Sequence, residues 1–226
     1  MNPRPSSTGE AFGFLSPLAL SILLALVALV LFERFADEMI EGDTLQFDAA
    51  IRSFVHRFSS PPLTILMRAF TDVGNIVGVV VGTIIASTIL WWRNRRNGTV
   101  LLAATTVGGL FLMWALKLLF HRQRPQPYFG ITVPSDYSFP SGHALMAFCF
   151  YGALASIITT EQHHIGSRII IWTAAVAMVL GIGVSRIYLG VHYPSDVVAG
   201  YLAALFWVTG VSLVYRRLGK RDITVS

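Results

Sequence analysis

The sequence predicts an all-α, polytopic membrane protein of six transmembrane helices, with an interfacial amphipathic segment between the first two. Three observations carry that expectation. The 226 residues are 54% hydrophobic and only 13% charged, with a mean hydropathy of +0.63, whereas soluble domains carry about a quarter charged residues. Six apolar runs reach or approach the roughly 20 residues that cross about 30 Å of hydrocarbon. Basic residues, finally, cluster after alternate runs. The length suits one membrane-embedded domain over residues 1–226.

The runs are Leu15–Phe32, Gly74–Trp92, Val100–Phe120, Ala144–Thr160, Ile169–Ser185 and Val197–Tyr215. The first is long for a signal-peptide core, and "LFERFADEM" after it has no small-residue cleavage site, so a retained helix is expected. Between the first two runs, Asp48–Phe70 mixes short apolar stretches with Arg52, His56, Arg57 and Arg68. It reads as one or two amphipathic helices, broken at Pro61-Pro62 and lying on the outer interface. The second run spaces Gly74, Gly78, Gly82 and Ala86 four residues apart, a small-residue stripe for close helix packing. The single cysteine, Cys149, lies in the fourth run, so it forms no intrachain disulfide and reads as core packing.

Charge sets the orientation. Arg93, Arg95 and Arg96 follow the second run, Arg168 precedes the fifth, and Arg216, Arg217, Lys220 and Arg221 follow the sixth. All share one side if the spans alternate, and the positive-inside rule makes that side cytoplasmic, with both termini inside the cell inner or plasma membrane. The net charge of +5 is then a topology signal rather than a nucleic-acid footprint. The acidic segment Glu33–Asp48, the loop His121–Gly142 and the connection Arg186–Ser195 fall on the extracytoplasmic side.

Three segments on that outer side carry the chemistry. "KLLFHRQRP" places Lys117 near the end of the third run and Arg124-Pro125 after it; "FPSGHA" places Pro140, Ser141, Gly142 and His143 before the fourth. "SRIYLGVHYPSD" holds Ser185, Arg186, His192 and Asp196. Singly, each has a structural explanation: a snorkelling lysine, interfacial arginines, a Ser141 N-cap, an acid in the first turn of a helix. Jointly, three cations on one face call for an anion, and the acidic segment offers no evident buried partner. A helix starting at "PSGH" suits phosphate through its backbone N–H groups, and arginine suits it through its fork. His192 and Asp196 pair as nucleophile and orienter, and His143 is free to protonate a leaving oxygen. His121 and Arg122 read as interfacial rim residues. Glu161, His163 and His164 lie on the opposite side, with no metal site expected.

The three segments resemble, in order and at every signature position, the three-part signature of the type 2 phosphatidic acid phosphatase superfamily: K-x6-RP, PSGH and SR-x5-H-x3-D. The signature region spans 117–196, while the N-terminal third agrees in organisation only. The resemblance implies that Lys117, Arg124 and Arg186 bind phosphate oxygens with Ser141 and the Gly142 N–H. It implies that His192 attacks phosphorus to form a phosphohistidine, that Asp196 holds His192, and that His143 protonates the departing oxygen. It also implies that no metal or other cofactor is needed, fixed cations taking the part of a metal ion. The expected activity is hydrolysis of a lipid phosphate or pyrophosphate at the outer leaflet, with undecaprenyl pyrophosphate the favoured substrate. Phosphatidylglycerophosphate, phosphatidic acid and diacylglycerol pyrophosphate are alternatives, as is phosphotransfer to a second lipid. The vanadate-dependent haloperoxidases that share the signature are soluble, which six apolar runs argue against. A transporter or channel would place its polar groups near the bilayer midplane, and here they sit at one face. The sequence carries no signal for oligomeric state.

Overall fold

A computed structural model describes residues 17–132 and 135–221, and these described residues form eight helices. They are α1 (Pro17–Glu41), α2 (Thr44–His56), α3 (Pro61–Val73), α4 (Ile76–Trp92), α5 (Arg96–Leu119), α6 (Gly142–Thr159), α7 (Ile165–Tyr188) and α8 (Pro194–Arg221). Among the described residues, five helices are long and apolar enough to cross a membrane. A sixth crossing is counted if α3 and α4, bent by 55° at a short break, form one span.

The differences from the sequence reading have local causes. Leu15 lies outside the described residues, and α1 runs beyond Phe32 to Glu41, because hydropathy ends there but nothing breaks the helix until Gly42, whose φ is +88°. The segment over Asp48–Phe70 is two helices, and the Pro61-Pro62 pair begins α3 rather than interrupting a helix. The second apolar run begins at the bend: Asn75 caps α4 by accepting from the Gly78 N–H at 2.6 Å, so α4 is only 17 residues long. The small-residue stripe does admit close packing. A Cβ on Gly74 would lie 2.5 Å from Ile182 of α7, and one on Gly82 would lie 3.1 Å from Phe150 of α6.

The bundle is organised around α6, which packs against α4, α5, α7 and α8, while α1 lies along α8. Leu102, Met113, Leu145, Met146, Cys149, Phe150 and Ala204 form the main core. Leu23, Leu26, Val30, Ile84, Ile85, Phe111, Ile170 and Val176 face outward, as lipid-facing side chains do when the solvent is hydrocarbon. Alternation of the helices brings the end of α5, the start of α6, the end of α7 and the start of α8 to one end of the bundle, where α2 also packs against α7 and α8.

Candidate active site

Each polar segment is locked by local structure before it meets the others. α5 is followed at once by Phe120, whose ring packs edge-on against Phe139 at 5.1 Å and Phe32 at 6.1 Å. That cluster folds the following loop back, and the Ser138 N–H donates to the Arg122 carbonyl at 2.9 Å. α7 ends in a turn through Gly190, where φ is +75° and an added Cβ would lie 2.6 Å from Tyr128. Only glycine fits, and the turn delivers His192 over the bundle. α8 starts at Pro194, and the Asp196 carboxylate reaches back to accept from the Tyr193 N–H at 2.9 Å, as the acidic partner of a capping box does. α6 and α8 meet closely at Gly200, where a Cβ would lie 2.7 Å from the Ser141 carbonyl. The Ser141 N–H donates to the Asp196 carbonyl at 2.9 Å, which ties the α6 start to the α8 start.

Every site residue named from the sequence lies at this end of the bundle. His192 is buried, with Nδ1 3.3 Å from Asp196 Oδ2 and from Ser138 Oγ, and Nε2 3.0 Å from Arg124 Nη1. Arg124 can only donate, so Nε2 is the acceptor and the ring proton belongs on Nδ1, facing the carboxylate. Burial, reinforced by the Arg124 charge and opposed by Asp196, pushes His192 down to about 3. The result is a neutral imidazole whose Nε2 lone pair faces Arg124. Arg124 is held by the Val191 carbonyl at 3.0 Å and the Asp136 carbonyl at 3.1 Å. Lys117, which the sequence left free to snorkel, is instead buried beneath the loop, with its ammonium on the Tyr137 carbonyl. Arg186 donates to Thr71 Oγ1 at 3.2 Å, and its Nε is buried without a partner. Ser141 stands at the N-cap of α6 but does not cap it; its Oγ is likewise buried and unpartnered. His143, in the first turn of α6, lies within electrostatic reach of Arg186, His192, Arg124 and Lys117.

Two of the three cations nonetheless have a carboxylate partner, and it comes from the loop after α5 rather than from the acidic segment Glu33–Asp48. Asp136 bridges Lys117 Nζ at 3.0 Å and Arg124 Nη2 at 2.7 Å. Burial works to raise the Asp136 carboxyl, but its bonds to Arg124 and Lys117 prevail and hold it below its ordinary value. Nor is Arg122 a rim residue. Its side chain, only 9% exposed, lies between two carboxylates, Asp48 Oδ2 at 2.7 Å and Asp196 Oδ1 at 2.6 Å. Sequence reasoning missed Asp48, Asp136, Ser138 and Thr71 as partners of the site. None of the four is a signature position, and a lone acid or hydroxyl in a loop or helix gives no spacing to recognise.

Arg186 Nε and Ser141 Oγ are donors left open, and Lys117, Arg124, Arg186 and the α6 N-terminus supply positive potential. An anion of phosphate size meets all of these needs. Among the described residues, no group of three histidines, cysteines or acids is placed to hold a metal ion.

The chain is similar to known proteins. A family model described as the PAP2 superfamily matches residues 97–220. The chain is 28% identical over 204 residues to phosphatidylglycerophosphatase B of Bacillus subtilis, covering 86% of this chain and 98% of that protein. It is 28% identical over 136 residues to the undecaprenyl-diphosphatase of Sulfolobus acidocaldarius, covering 58% and 61% of the two chains. Its fold is similar to the crystal structure of a transmembrane PAP2 type phosphatidylglycerolphosphate phosphatase from Bacillus subtilis. The TM-score is 0.77 at 22% identity, over 89% of this chain and 97% of that one.

Proposed function

Since the chain belongs to the PAP2 superfamily, as a multi-pass membrane protein of its lipid phosphatases, we propose that it hydrolyses a lipid phosphate or pyrophosphate through a phosphohistidine on His192. The observation that carries this reading is the neutral His192 ring, backed by Asp196 and turned toward Arg124. A phosphate group seated on Lys117, Arg124, Arg186, Ser141 Oγ and the Gly142 N–H presents phosphorus to Nε2. The N–P bond forms as the P–O bond to the leaving group breaks (the lipid alcohol of a monoester, the lipid monophosphate of a pyrophosphate), and His143 gives its proton to the departing oxygen. The Nδ1 proton stays on the ring against Asp196, which offsets the positive charge the phosphorylated imidazole gains. Water then attacks phosphorus, His143 takes up a proton, and inorganic phosphate leaves with His192 restored.

The fixed cations stabilise charge on the transferring group, so turnover is proposed to need no metal. This is supported by the commitment of the nearby carboxylates: Asp196 serves His192 and Arg122, and Asp136 serves Lys117 and Arg124. The distribution of arginines supports an extracytoplasmic site with both termini inside, and α2 and α3 are proposed to lie along the outer interface. From that side the enzyme meets lipids delivered to the outer leaflet, and undecaprenyl pyrophosphate is the proposed substrate, supported by the likeness to an undecaprenyl-diphosphatase.

The test is phosphate release by purified protein on undecaprenyl pyrophosphate, phosphatidylglycerophosphate and phosphatidic acid, each with excess EDTA. Highest kcat/KM on the polyprenyl substrate, unchanged by chelator, is expected. A different preferred lipid overturns the substrate, and loss of activity in EDTA that magnesium restores overturns the metal-free mechanism. Inactivity on all three overturns the reading as a whole.

A further inference from the structure

The Asp196 carboxylate is completely buried, and one face of it is not explained by His192. Its Oδ2 accepts from Ser138 Oγ and the Tyr193 N–H and faces His192 Nδ1, but its Oδ1 is taken by Arg122. Arg122 Nη1 also donates to Ser195 Oγ at 2.7 Å, while Nη2 donates to Asp48 Oδ2 at 2.7 Å and Thr44 Oγ1 at 3.2 Å. Asp48, also completely buried, accepts from the Ser195 N–H at 2.9 Å and Ser195 Oγ at 2.7 Å. The Arg122 guanidinium lies 4.1 Å above the Tyr193 ring. Two of these residues are not signature positions: Asp48 in α2, some 150 residues before Asp196, and Arg122, which stands at a variable position between Lys117 and Arg124.

We propose that Arg122, anchored by Asp48, is the positioning residue that fixes the Asp196 carboxylate and through it the His192 ring. The proposal rests on the reading of His192 as nucleophile. An isolated carboxylate in a dry site can rotate, and either oxygen can then face the imidazole. A guanidinium that binds Oδ1 and is itself clamped by a second carboxylate removes that freedom and reserves Oδ2 for Nδ1–H. Asp48 balances the Arg122 charge, so the cation does not draw Asp196 away from the histidine. Lysine, a point charge on a flexible stem, cannot hold both carboxylates and Ser195 at once. α2 thereby becomes part of the catalytic end of the bundle rather than only a surface helix.

The test uses full-length protein in detergent and whichever lipid phosphate the wild type turns over fastest. It reads kcat together with the inhibition constant of inorganic phosphate, which reports the cradle alone. For Arg122→Gln, kcat is expected to fall about ten- to hundredfold, the usual loss when an outer partner of a catalytic group is removed, with the phosphate inhibition constant within twofold of wild type. Asp48→Asn, which keeps an acceptor for Ser195, should lose kcat in the same way. Arg122→Lys should retain more kcat than Arg122→Gln. The double variant Asp48→Asn/Arg122→Gln should fall no lower than Arg122→Gln alone, since the two act as one unit. Unchanged kcat, multiplied losses in the double variant, or a phosphate inhibition constant that rises in step with the fall in kcat each overturns the proposal. If Arg122→Gln does not fold, Asp48→Asn and Arg122→Lys decide by the same criteria. His192→Ala, run in parallel, tests the nucleophile separately: its full activity would sink the underlying reading, whereas its inactivity with normal Arg122 variants sinks only the positioning role.

Discussion

In the proposed mechanism His192 has to keep a lone pair among the cations around it, and burial favours that neutral ring. The groups facing it are Asp196 and Ser138 at Nδ1, Arg124 at Nε2, and the more distant charges of Arg186 and His143. Its ordinary value of 6.5 is pushed down to about 3, so the unfolded chain binds a proton more readily than the folded one. The sign follows. Stability is complete above about pH 6.5 and is lost as pH falls toward 3, at about 1.4 kcal/mol per pH unit. Between pH 7 and pH 5 the contribution is about 2 kcal/mol. The thermal midpoint of wild type should therefore drop more over that interval than that of His192→Gln, and equal drops would remove His192 from the account. The two histidines are separable by leaving group. His143→Ala should lose about a hundredfold or more on an alkyl phosphate, whose alkoxide must be protonated, and much less on p-nitrophenyl phosphate, whose leaving group is stable unprotonated. His192→Ala should be inactive on both, because neither leaving group departs without the nucleophile. Equal losses on both substrates for both variants would recast His143 as a phosphate ligand.

The 120–141 loop shows what an element adds that no residue pattern carries. Its ends were legible, since Arg124 and the Ser141-Gly142-His143 turn stand in recognisable spacings. Its middle was not, because Asp136 reaches Lys117 and Arg124 only once Phe120, Phe139 and Phe32 have folded the loop over α5. A carboxylate and a phosphate oxygen then compete for the same ammonium and guanidinium. Asp136→Asn removes the competing charge, so the inhibition constant of inorganic phosphate is expected to fall severalfold, the gain shrinking as salt rises. A constant that rises instead would mean that Asp136 holds the two cations in place for substrate rather than against it. α1 and the α3–α4 pair teach the same lesson for helices: hydropathy marks the lipid-crossing run, whereas caps and breakers mark the helix. The polar turns from Glu33 to Glu41 extend α1, and the Asn75 cap after the bend at Val73 sets where α4 begins.

At the scale of the whole molecule, the fold class was legible because membrane solvent imposes a strong rule: backbone polar groups must be satisfied within each segment, so apolar runs become helices. What hydropathy cannot encode is which helix becomes the hub. α6 earns that place through close contacts with α5, α7 and α8, such as the approach of Gly109 to Cys149 and of Gly200 to the Ser141 carbonyl. That packing puts the polar ends of α5, α6, α7 and α8 together, and it leaves orientation in the bilayer to charge alone. At the opposite end, Arg95 pairs with Glu161 at 2.6 Å and Arg96 lies over the Trp91 ring, so part of the basic cluster is engaged within the protein. The remaining arginines still favour the cytoplasmic side, because retention depends on the positive charge near the helix ends and acidic residues offset it little. Single cysteines in a Cys149→Ala background test this directly. Ser135 is exposed in the loop over the site and Asn97 is exposed at the start of α5. Ser135→Cys should react with a membrane-impermeant thiol reagent in intact cells, and Asn97→Cys only after the membrane is opened. The reverse pattern would turn the site toward the cytoplasm, where the substrate would have to come from the inner leaflet and a carrier discharged outside could not reach His192.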